Sequence, residues 1–254
     1  MPTKHVFMLL AVMTSTAIIA SANASNNNHT FGPLDATQSS VIPHIPEPML
    51  FDLVRPLGAA KGELEINTLV DHALRAGHTE WAPEIEYAFL DGYAIELELP
   101  FQDFSVAEYK LAFQGTIGTL LGARMIHGWQ IIGRYDRHEK AYLTDTLYLN
   151  GMRLSNKWSM FHMLGVRNNF SEKRERFNGL LNNSLFYAVS RQLTLGFEVN
   201  NEMPRWGKWR YRLVPQIHYD FTPHTSLQVG GGPSKLEDSK RTEWTVAWRL
   251  IHAF

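Results

Sequence analysis

The chain has 254 residues, a formal net charge of −1 and no cysteine, which excludes disulfides, thiolate metal sites, a cysteine nucleophile and a lipobox cysteine. A mean hydropathy of −0.21 beside 44% hydrophobic residues excludes a bundle of membrane helices and suits a chain in which apolar and polar residues alternate. Residues 61–120 hold eleven acidic against three basic side chains, and residues 121–254 nineteen basic against eleven acidic, so the two portions attract each other in a closed structure.

Residues 1–24 read as a signal peptide: Lys4, an apolar run from Val6 to Ala20, and the small-x-small site Ala22-Asn23-Ala24 with cleavage after Ala24. The apolar run falls short of the roughly 18–20 residues of a spanning helix. No later run is long enough, so the exported chain is soluble or crosses a membrane as strands. Residues 25–60 are rich in Asn, Ser and Pro and form a periplasmic lead-in or plug segment. Its apolar piece, Met49 to Val54, is a plug in a lumen, a helix at its mouth, or a linker with one local contact.

From Gly62 the alternation predicts twelve strands, near 62–70, 79–89, 93–100, 108–118, 125–135, 141–151, 157–167, 179–189, 192–200, 208–220, 225–231 and 243–254. Most run about 9 to 13 residues, where a tilted membrane strand needs about 9–11 and a soluble one is nearer 5–6. In the third, Tyr93, Ile95, Leu97 and Leu99 oppose Ala94, Glu96 and Glu98. In the tenth, Trp209, Tyr211, Leu213, Ile217 and Tyr219 oppose Arg210, Arg212, Gln216, His218 and Asp220. Connections alternate in length, with short turns such as Asp91-Gly92 and Ser190-Arg191 on one side and longer loops on the other. Tyr87, Tyr187 and Tyr219 recur just before such turns, where an aromatic girdle belongs.

The final strand places Trp244, Val246, Trp248, Leu250 and Phe254 on one face and stops on Phe254. Such an end resembles the C-terminal signal read by the barrel assembly machinery. A soluble sandwich shows the same alternation; strand length, the signal peptide and Phe254 decide against it. The fold class is therefore all-β, an antiparallel transmembrane up-and-down barrel of about twelve strands formed by residues 61–254, in a Gram-negative outer membrane.

The run Phe51-Asp52-Leu53-Val54-Arg55-Pro56-Leu57-Gly58, then Lys61 to Asn67, then Ala82-Pro83-Glu84-Ile85-Glu86-Tyr87 through Leu97-Glu98-Leu99-Pro100, resembles outer-membrane proteins of the meta-pathway phenol-degradation transporter type. The likeness covers mainly residues 51–118. It implies a barrel and a transporter role, and it carries over no catalytic residue.

Inward carboxylates dominate the first four strands: Glu63, Glu65, Glu84, Glu86, Glu96, Glu98 and Glu108. Residues two apart share a face and adjacent strands stack them into an acidic wall. Lys110, Arg134, Arg210, Arg212 and Arg249 are inward elsewhere and supply cations. The wall is either a salt-bridge lattice that fills the lumen or one side of a transverse field across a narrow pore for polar or zwitterionic solutes. At the closing seam, Arg249 is expected against Glu63 or Glu65. Lys173, Arg174 and Arg176 are expected to contact lipopolysaccharide phosphates. Ser159 and His162 fall on opposite faces, and His218 with Asp220 lies at the periplasmic end, so no catalytic residue is assigned. The scattered histidines give no metal site, and no cofactor or nucleic-acid partner is expected. The sequence thus reads as a narrow channel or transporter of small molecules, with a structural envelope barrel or a barrel-based enzyme as the alternative.

Overall fold

Period-two alternation sustained over ten or more residues leaves a strand one apolar and one polar face, and closing such strands into a ring removes the unpaired edges. The computed structural model, which describes residues 45–50, 53–171, 176–204, 209–235 and 242–254, is such a ring. Its strands are β1 Leu64–Ala73, β2 Thr79–Leu90, β3 Tyr93–Glu98, β4 Phe101–Gln102, β5 Ser105–Val106, β6 Glu108–Leu120, β7 Met125–Asp136, β8 Ala141–Arg153, β9 Trp158–Asn169, β10 Phe177–Ala188, β11 Leu193–Pro204, β12 Arg210–Thr222, β13 Thr225–Lys235 and β14 Glu243–Ala253. The twelve long strands pair antiparallel with their sequence neighbours, and β1 pairs with both β2 and β14, so the barrel closes. Residues 1–24 and most of the lead-in lie outside the described residues.

Two details differ from expectation. The connection after β3 carries a small hairpin of its own, β4 with β5, that extends the sheet from β2. β13 also continues beyond the expected end at 231, through Gly232 to Lys235, where the sequence reads as a loop. A side chain at Gly232 would meet the Leu213 carbonyl oxygen at 2.2 Å, so glycine here lets β13 lie against β12 rather than leave it. Gly92, at φ +75°, makes the tight turn between β2 and β3.

The outside is apolar along the full circuit, with Leu97, Phe113, Ile131, Leu164, Leu185, Phe197, Ile217, Val229 and Trp248 exposed. That is the face a bilayer covers. The core lies inside the ring: Ile45, Leu53, Val54 and Leu57 pack with Ile126, Ile132, Leu147, Leu149, Phe161 and Met163 of β7, β8 and β9. At the level of the plug, inward positions are therefore apolar on the β7–β9 arc and charged on the β1–β3 arc.

Candidate functional site

Residues 45–50 and 53–60 lie within the barrel as a plug. Pro46, Pro48 and Pro56 keep this stretch from forming helix or ladder, so its backbone must find hydrogen bonds elsewhere once buried. The wall supplies them. Glu198 Oε2 accepts from the Met49 and Leu50 amides at 2.9 and 3.3 Å, and Gln130 Oε1 accepts from the Val54 amide at 3.2 Å. Gln114 Nε2 donates to the Arg55 carbonyl at 2.6 Å, and Gln228 Nε2 to that of Glu47 at 3.4 Å. Thr116 Oγ1 accepts from the Gly58 amide at 2.8 Å, and the Gly92 amide donates to the Ala59 carbonyl at 2.8 Å. The tip at 47–50 reaches half-way up the strands; Leu57 to Ala59 sit at the short-turn end.

The charged side of the plug meets the acidic wall. Arg55, 4% exposed, donates to Glu65 and, at 2.9 Å, to Glu63, with Glu86 at 3.8 Å. Arg249 lies against Glu84 at 2.7 Å, Glu86 at 3.2 Å, Asn67 Oδ1 at 3.0 Å and Glu47 at 3.7 Å. The seam contact therefore differs from the one expected. The register sets Leu69 opposite Arg249, so the guanidinium reaches past β1 to β2, while Glu63 and Glu65 are taken by the plug. Lys110 pairs with Glu98 and, at 3.0 Å, with Glu96. Glu84, Glu86 and Glu96 bring oxygens within 4.8 Å of one another, but Arg55, Arg249 and Lys110 already stand among them as counter-charges. Glu108 lies apart, opposite Asp136 at the long-loop end.

The remaining basic residues do not serve this wall. Arg134 pairs with Asp145 at 3.1 Å, Arg210 with Glu202 at 3.4 Å, and Arg212 with Asp71 at 2.6 Å. They stand near the long-loop ends of β7 and β12, out of reach of carboxylates lower on β2 and β3. Asp145, Arg167, Glu198 and Glu202 hold essential places here and were not singled out from sequence as site residues. Extending the same parity finds Asp145 on β8, Arg167 on β9 and Glu198 on β11; Glu202 lies beyond the strand expected at 192–200 and belongs to one because β11 runs on to Pro204. Arg176 lies over the Phe177 ring at 5.5 Å; Lys173 and Arg174 lie outside the described residues. Ser159 is buried inside while His162 bonds Asn183 on the outer face at 2.6 Å. His218 bonds Gln216 at 3.1 Å.

Between plug and wall a cavity of about 30 Å³ is lined by Met49, Leu50, Leu53, Leu69, Glu84, Glu98 and Arg249, room for about two waters. Burial, reinforced by Glu65 and Glu84 and opposed by Arg249 and Arg55, pushes the Glu47 carboxyl up to about 7 from its ordinary 4.5. A docked tip therefore holds a proton that a free one gives up between those values. Docking is strongest below the free value, weakens as pH rises from 4.5 to 7, and is weakest above 7. Protease access to residues 45–60 of the refolded chain is expected to rise between pH 5 and pH 8 as the tip undocks, and Glu47→Gln to flatten that rise. An unchanged slope in the variant would remove Glu47 from the linkage.

A sequence model of the HAEPLYID-like family matches residues 41–129, the plug and the first strands. No curated protein matches the chain. Three solved structures are similar in fold. The NanC porin has a TM-score of 0.61 at 6% identity, covering 74% of this chain and 98% of its own. An outer membrane channel from Pseudomonas putida F1 has 0.62 at 13%, covering 80% and 100%. The KdgM porin has 0.58 at 9%, covering 73% and 97%. At these identities the likeness is one of fold.

Proposed function

We propose that the chain is an outer-membrane channel for small molecules that its own residues 45–60 hold closed. One observation carries this reading: the ring is wide enough to hold a length of irregular polypeptide, which a barrel filled by its own side chains is not. With the segment withdrawn, the space it leaves runs between an apolar arc and a charged arc. The similarity in fold to porins and channels supports the same reading, and a transporter role is also what the resemblance read in residues 51–118 implies. Residues 1–24 as the export signal, Phe254 as the handle for the assembly machinery, and Arg176 with Lys173 and Arg174 as lipopolysaccharide contacts complete the proposal. No catalytic residue is assigned.

The second reading, a sealed envelope barrel, has the small cavity in its favour. Planar-bilayer recordings of the refolded full chain separate the two, taken on the wild type and on a variant with weakened plug contacts. Discrete openings that become more frequent in the variant support the channel. Baseline current in both, with the barrel correctly folded, leaves the sealed reading.

A further inference from the structure

A row of polar side chains crosses the lipid-facing side of the barrel from β7 to β10. The register sets His127 opposite Asn150, Asn150 opposite His162, and His162 opposite Asn183. Strand alternation puts all four on the outer face, with the exposed Tyr148, Leu164 and Leu185. Near the short-turn end His127 bonds the Tyr148 hydroxyl at 3.2 Å. His162 and Asn183 stand mid-way along β9 and β10, where about 12 Å of hydrocarbon separates them from either headgroup layer.

The polar capacity that this pair leaves unused is specific. Asn183 Oδ1 only accepts, so the 2.6 Å bond to it fixes the His162 proton on Nδ1. In the neutral ring Nε2 is then a bare acceptor, and Nδ2 of Asn183 is a bare donor. Neither has a hydrogen-bond partner among the described residues. Lipid chains supply neither donor nor acceptor, and headgroups are out of reach, so exposure of the pair to lipid is costly.

We propose that this face joins a second copy of the chain about a two-fold axis along the membrane normal. Such an axis sets Asn183 of each copy before His162 of the other, so each Nδ2 donates to the Nε2 that faces it and both groups are met twice. The free donor and the free acceptor belong to one pair at one depth, which makes the chain its own complement. Towards the long loops the same face carries Thr146 and Gly179, each opposite Val166, small residues that let two walls approach. The pairing does not depend on the channel reading.

The chain has no cysteine, so a single introduced thiol reports the contact alone. Sedimentation of the refolded full chain in mild detergent is expected to show a dimer. His162→Leu and Asn183→Leu each remove both reciprocal bonds and are expected to weaken self-association at least tenfold, while heat-modifiable migration checks that they fold. In vesicles a short bis-maleimide is expected to join Leu164→Cys, on the same face, into dimers, and to leave Ile66→Cys on β1, across the ring, as monomer. A wild type that sediments as a monomer at every concentration overturns the proposal, as does equal cross-linking from the two cysteine positions. Unchanged association in both leucine variants overturns the His162–Asn183 pairing, and a trimer overturns the two-fold axis. In cell envelopes, a Leu164→Cys product of any mass other than the dimer's assigns the face to a different protein and overturns self-pairing.

Discussion

Arg55→Glu is expected to turn a mostly closed lumen into a frequently conducting one. The guanidinium is buried between Glu63, Glu65 and Glu86, and removing one partner of a buried ion pair costs about 3–5 kcal/mol. A glutamate in its place adds repulsion from the same three carboxylates. Ile45, Leu53, Val54 and Leu57 still favour the docked segment through the apolar surface they bury, so the substitution shifts the docking equilibrium rather than removing it. A loss of roughly 3–5 kcal/mol corresponds to an open population raised at least a hundredfold, at about 1.4 kcal/mol per factor of ten. Single-channel recording reads this directly. Arg55→Lys, which keeps the charge and loses the fork, is expected to fall between wild type and Arg55→Glu. A folded Arg55→Glu barrel with wild-type current would mean that the plug is not the gate.

Arg249→Ala is expected to weaken the barrel itself. This side chain bridges β14 to β2 across β1 and also holds the plug through Glu47 and the Pro48 carbonyl. Its loss leaves the Glu84 and Glu86 carboxylates close together without that cation. A penalty of about 3–5 kcal/mol follows, read as a lower urea midpoint in detergent with an unchanged slope. Adding Glu86→Gln is expected to restore a measurable part, because it removes the charge left unpaired. A double variant no more stable than Arg249→Ala would show that Arg249 acts through packing, not charge.

Much of the barrel is written in the sequence because alternation is local. Tyr93 to Leu99 and Trp244 to Leu250 announce their faces within a few residues, and the parity of turns then dictates that β1 and β14 meet. The plug is another matter. Its backbone is held by Glu198, Gln130, Gln114 and Gln228, residues far along the chain whose inward polar side chains look alike whether they face water or a buried amide. Nothing local in residues 45–60 states that such acceptors exist. The Arg249 contact eluded sequence reasoning for a related reason: strand pairing names the residue opposite, whereas a long guanidinium is steered by where unspent carboxylates lie. Arg55, hidden in a segment without periodicity, had already claimed Glu65. The pairs Arg134–Asp145 and Arg210–Glu202 were half visible in their arginines; Asp145 was open to the same parity argument, whereas Glu202 lies where β11 outruns its sequence-read end.

The plug also bears on how the barrel comes to be. It precedes β1, yet its anchors include Glu198 on β11 and Arg249 on β14, about 149 and 201 residues away along the chain. Contacts of such span form late, since each requires a long loop to be closed first. A nascent sheet lacking its last strand offers the plug tip only part of its binding site. The full set of contacts on residues 47–50 is therefore present only once β14 has joined β1, so the last strand completes the seat of the plug as well as the ring.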